Sequence, residues 1–147
     1  MGHSCGGLQA LEASADPRIG TSVILDSGIL LDPPPFPMPG VKTNDKGELA
    51  LLHAPLLYLI GGATDIAYHN AVDDFGRIER VPVLMANTNV GHKGTFAQAH
   101  VGAFATVATA WLQWQLKHDQ TAAKMFVGAR CGLCTDSAWT VEKKRID

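Results

Sequence analysis

Nothing in this 147-residue chain is present in large excess. Acidic and basic side chains nearly balance, 14 against 12, giving a formal charge of −2 and a pI of about 6.3. No basic face therefore argues for a nucleic acid or an anionic membrane as partner. Apolar residues make up 46% of the chain, yet their longest stretches are broken by glycine, proline or charge well short of a spanning length, so no transmembrane helix is expected. No signal peptide precedes the first motif. Cysteine is scarce. Of three, Cys131 and Cys134 form a C-x-x-C pair, and one such pair without a second is not the usual four-ligand zinc site. The six histidines are scattered with no H-x-x-x-H or H-E-x-x-H spacing, so no metal and no cofactor is expected. Without an internal repeat, the length reads as one domain.

The chemistry is concentrated where the chain begins. Gly2-His3-Ser4-Cys5-Gly6 is a G-x-S-x-G sequence, followed by Gly7. Such a pentapeptide forms a sharp strand-to-helix turn. Small residues at its flanks, Gly2 and Gly6, keep side chains out of the way and leave the Ser4 hydroxyl exposed at the apex. Two later segments fit the same site. Pro55–Ile60 is an apolar run leading to Gly61-Gly62-Ala63-Thr64-Asp65. Val81–Asn87 is another, leading to Val90-Gly91-His92. Both read as buried strands whose ends present a titratable side chain. The order Ser4, Asp65, His92 is that of a nucleophile, an orienting acid and a general base.

The remaining chain alternates strand and helix patterns. Cys5 to about Ala15 reads as a helix with Leu8, Leu11 and Ala15 on one face. Thr21–Leu25 reads as a strand, ending at Asp26-Ser27-Gly28. Residues 32–47 form a loop with five prolines, and 48–53 one or two helical turns. Asn70–Arg77 is a short helix on which Asp73 and Asp74 read as solvated. Phe104–Lys117 is the best helix, with a stripe of Val107, Ala108, Trp111, Leu112 and Leu116. Residues 119–127 continue helically, and 136–145 close with a turn. Strands alternating with helices predict an α/β fold with a parallel sheet.

The phrases GHSCGGLQAL, YLIGGATDIAY, NVGHKGTF and WLQWQLK, with CGLC near the end, resemble the α/β-hydrolase superfamily, in particular dienelactone-hydrolase-like serine esterases of secreted bacterial and fungal origin. The resemblance runs from Gly2 to about Ile146 and is to the C-terminal half of that fold, a mostly parallel sheet flanked by helices. It implies Ser4 as nucleophile, His92 as general base and Asp65 as its orienting acid, with the Cys5 N–H as one oxyanion donor. It also implies a truncated domain over residues 1–147, with the second oxyanion donor on an earlier segment and an open edge on the strand at 21–25. That edge predicts a homo-oligomer, most simply a two-fold dimer. The expected partner is a small-molecule ester.

Each candidate has a plainer reading beside the catalytic one. Ser4 could cap the helix it precedes. Asp65 could cap the one that follows it. Asp26 rivals Asp65 for the acid role, because it too ends a strand; the spacing from Ser4, with room for two βα units, favours Asp65. His69 and His100 rival His92, but only His92 directly follows a strand. Phe36, Met38, Tyr68 and Phe96 either line a pocket or cover the core. Cys131 and Cys134 are either a local disulfide or two thiols; the resemblance to secreted hydrolases favours the disulfide. Two functions follow, a serine carboxylic ester hydrolase acting through an acyl-enzyme, or a weak or inactive half-domain that mainly self-associates or binds.

Overall fold

The computed structural model describes residues 1–30 and 45–147. Most of the proline-rich loop at 32–47, including Phe36 and Met38, lies outside the described residues.

Four strands pair in chain order and in parallel: β1 (Gly2–His3), β2 (Ser22–Leu25), β3 (Leu56–Ile60) and β4 (Val83–Asn87). A fifth strand, β5 (Thr140–Lys144), adds antiparallel to β4. Every residue of β2 and β3 is buried. This is why they read as unbroken apolar runs: a parallel strand is covered on both faces.

Alternate residues of those runs serve two cores. Val23, Leu25, Leu57, Leu59 and Leu84 face α3 (Gly102–Lys117), meeting Phe104, Val107 and Trp111. Ile24, Leu56, Tyr58, Ile60 and Met85 face the other way. There they meet Leu11 of α1 (Cys5–Ala13), Ala71 and Phe75 of α2 (Tyr68–Arg77), and Leu49 of a 3-10 turn at Lys46–Leu51. Crossovers of one hand, running steadily across a sheet, must all lie on one face. Helix α3 covers the other face on its way to the antiparallel strand. Its Trp111 is fully buried, and the indole N–H finds Thr21 Oγ1 at 2.8 Å, so the burial leaves no polar atom stranded. The architecture is therefore α/β, a mostly parallel five-stranded sheet with flanking helices.

Several expectations need correction. Residues 136–145 turn only at 137–138; the five residues 140–144 form β5. The Glu and Lys of that strand suit an exposed edge, and only Val141 packs on the core below. Lys144 Nζ reaches the carbonyls of Phe75, Gly76 and Ile78 at 2.7, 3.0 and 3.2 Å, capping the C-terminus of α2. The helical stretch at 119–127 shortens to α4 (Gln120–Ala123). Leu116 is 58% exposed and leaves the apolar stripe of α3, while Phe104 joins it. Asp74 is not solvated but fully buried. Its Oδ1 meets Lys46 Nζ at 2.6 Å, and its Oδ2 accepts from the Ile29 N–H at 2.8 Å. Of the two readings of Cys131 and Cys134 the disulfide holds: they are joined around the short α5 (Gly132–Thr135).

Candidate active site

Ser4 stands between β1 and α1 at φ 52, ψ −120, a conformation L residues rarely adopt and one that costs about 1–3 kcal/mol. Hydrogen bonds to its main chain hold it there, among them one from the Leu8 N–H to its carbonyl at 3.3 Å. Its N–H donates to the Leu25 carbonyl at 3.0 Å, and its own carbonyl accepts from Gly7 N at 2.9 Å and from Ser27 Oγ at 2.7 Å. A Cβ on Gly2 would run into the Gly6 carbonyl, and one on Gly7 would run into the Ser27 side chain. A Cβ on Gly6 meets nothing within 4 Å. The turn thus requires Gly2 and Gly7, where the sequence pattern pointed to Gly2 and Gly6. The Ser4 side chain makes no capping bond to α1, so the plain N-cap reading fails.

The hydroxyl instead faces His92. Ser4 Oγ lies 3.0 Å from His92 Nε2, and His92 Nδ1 lies 2.7 Å from Asp65 Oδ1. A carboxylate only accepts, so Nδ1 carries the imidazole proton and Nε2 is free to accept from the hydroxyl. Three loops at the C-terminal ends of parallel strands thus deliver the three groups, in the crevice where open α/β sheets bind ligands. The loops that carry Asp65 and His92 are knitted together by the main chain. Gly91 N donates to the Gly61 carbonyl at 2.7 Å, an approach so close that a Cβ on Gly61 would strike the Gly91 carbonyl.

Asp65 also does part of its plainer job. Its Oδ1 accepts from Ala67 N at 2.9 Å and its Oδ2 from Gly61 N at 3.3 Å, shaping the turn into α2. Burial works to raise its pKa. The Ala67 N–H, His92, Asp26 and the Gly61 N–H outweigh that and hold the carboxyl below its usual value. Asp65 is therefore an ionised acceptor for His92.

The rivals separate cleanly. Asp26 makes no hydrogen bond with His92; it lies buried at the end of β2, facing Asp65, and burial followed by the presence of that carboxyl pushes its pKa up to about 8. His69 sits in α2, edge-on to Tyr68. His100 lies in the turn before α3 beside a separate surface cavity. No cluster of potential metal ligands occurs among the described residues.

A cavity of about 420 Å3 opens over Ser4. Leu8, Leu30, Ile66 and Ala67 give it apolar walls, while Ser27 and Asn70 add polar edges. Cys5, the first residue of α1, also borders it, and a first-turn N–H has no intrahelical acceptor. Tyr68 and Phe96 do not line this cavity. Tyr68 packs on the core and borders another hollow, and Phe96 stands edge-on to His3.

His3 is the residue the sequence reasoning passed over. Its Nε2 lies 2.9 Å from the His92 main-chain carbonyl. A carbonyl only accepts, so His3 carries its proton on Nε2 and donates. The variable position of the G-x-S-x-G pattern gives no sign of this.

No protein-family model matches the chain, and no curated protein matches it significantly.

Proposed function

We propose that the chain is a serine-dependent carboxylic ester hydrolase of the α/β-hydrolase type, acting through an acyl-enzyme. The observation that carries this reading is the relay from Ser4 Oγ through His92 to Asp65, at 3.0 and 2.7 Å. A serine hydroxyl is a poor nucleophile at its own pKa and needs a base within hydrogen-bond reach. In the first half of the reaction Ser4 Oγ attacks the ester carbonyl carbon while His92 Nε2 takes the hydroxyl proton. Asp65 keeps Nδ1 protonated and stabilises the imidazolium. The tetrahedral oxyanion forms beside the N-terminus of α1, where the Cys5 N–H donates to it. Collapse expels the alcohol, which receives the proton from His92. Water then repeats the sequence on the acyl-enzyme and returns Ser4 to its free form.

The apolar walls over Ser4 favour an ester with an apolar acyl or alcohol part of modest size. The experiment is labelling with a fluorophosphonate alongside turnover of short-chain p-nitrophenyl esters. Wild type is expected to be labelled on Ser4 and to turn over slowly, and Ser4→Ala to do neither. An Ala variant that keeps its rate removes Ser4 as nucleophile and the reading with it.

A further inference from the structure

Asp26 ends β2 beside the elbow, and the acyl-transfer steps give it no task. Its backbone is held at φ 43, a left-handed conformation, and its side chain is fully buried. As a bare carboxylate it is poorly served: neither oxygen accepts a well-formed hydrogen bond among the described residues, and the nearby Gly61 N–H, which bonds Asp65 Oδ2 at 3.3 Å, offsets its burial only in part. The groups facing it come from three elements. From β1, His3 Nε2 lies 3.4 Å from Asp26 Oδ2, but its proton is already given to the His92 carbonyl. From the loop after β4, Gly94 leaves Oδ2 its space, since a Cβ there would sit 2.8 Å away. From the loop after β3 comes Asp65 itself.

Two carboxyls facing each other in a buried site do not both ionise readily; one keeps a proton and shares it with the other. Their surroundings decide which one. Asp65 accepts from the Ala67 N–H, the Gly61 N–H and His92 Nδ1, three donors that favour its charged form. Asp26 has no such set. We propose that Asp26 carries a proton in the working enzyme and donates it in a hydrogen bond to Asp65, which makes Asp26 a positioning residue for the catalytic carboxylate. This rests on the serine-hydrolase reading of the site. The directions of titration agree with it: Asp26 is pushed up to about 8, chiefly by burial, and Asp65 is held below the usual range. Ionising Asp26 would remove the donor and set two negative charges against each other behind His92.

The test pairs kinetics with a titration that does not depend on turnover. Wild type is expected to lose kcat above a midpoint near pH 8, with KM little changed. Asp26→Asn keeps a neutral donor and is expected to retain kcat near neutrality and to lose that alkaline limb. Asp26→Leu offers no donor and is expected to fall about tenfold in kcat, the scale of one hydrogen bond to a charged group. In carbon-13 NMR of the wild-type protein, the Asp26 carboxyl is expected to titrate near 8. A midpoint near the ordinary carboxylate value overturns the proposal, whether or not Asp26→Leu folds. So does an unchanged alkaline limb in Asp26→Asn. Should no ester be turned over while the carboxyl titrates near 8, the hydrolase reading fails and the proton on Asp26 stands.

Discussion

The imidazole of His3 donates to the main-chain carbonyl of His92 at 2.9 Å, with the two rings 5.3 Å apart. The residue just before Ser4 therefore holds the loop that carries His92. Phe96 stands edge-on to the His3 ring at 4.7 Å and keeps it from swinging away. The distance between Ser4 Oγ and His92 Nε2 is thus set from the strand side as well as from the loop side.

His3→Ala is expected to lower kcat about tenfold and leave KM little changed, because a base loop freed by fractions of an ångström spends less time in line with the hydroxyl. His3→Gln, which can offer an N–H at similar reach, is expected to recover most of the loss. Equal losses in the two variants would mean that the ring's packing on Phe96 matters and the hydrogen bond does not.

Asp65→Asn is expected to lose kcat by roughly 10³–10⁴-fold, since an amide can hold His92 in the wrong tautomer. Asp26→Asn is expected to lose far less. Steady-state rates of the two variants on one ester give the ranking. The reverse order would move the orienting acid to the end of β2.

Gly7→Ala is expected to destabilise the protein by about 1–3 kcal/mol, because the new methyl overlaps Ser27, the residue that clamps the Ser4 carbonyl. Gly6→Ala meets open space and is expected to be close to neutral in thermal denaturation. A larger drop for Gly6→Ala than for Gly7→Ala would contradict the packing of the elbow.

Much of this site could be read from the chain because its parts are local. Strands covered on both faces leave apolar runs, so Leu56–Ile60 and Val83–Asn87 announce themselves, and their C-terminal ends are where Asp65 and His92 stand. What stayed hidden depends on contacts across the fold. Thr140–Lys144 carries Glu and Lys, good helix formers, and becomes a strand only because β4 offers it a pairing edge. Asp74 looks like any helix-surface acid until Lys46, 28 residues earlier in the chain, closes over it. Gly7 looks incidental beside Gly6, because the side chain that needs its space is that of Ser27 on another strand end.

Asp74 makes the pH dependence of stability a test of that buried contact. Burial raises its carboxyl to about 6, although the charge and hydrogen bond of Lys46 and the bonds from Ile29 and Tyr58 pull it back down. The folded value lies above the unfolded value of about 3.9. Across the interval between them the native state keeps a proton that the unfolded chain has released. Stability from this group is therefore fully present below about pH 4 and is lost as pH rises to about 6. Asp74→Asn is expected to remove that part of the slope in urea midpoints measured over this range, while Lys46 retains Asp73 Oδ2 at 3.0 Å. Lys46→Met takes away the cation and is expected to extend the decline to higher pH. If wild type and Asp74→Asn run parallel across the interval, Asp74 does not titrate as a buried group. The consequence reaches the cavity over Ser4, because Asp74 Oδ2 holds the Ile29 N–H and the next residue, Leu30, forms one of its walls.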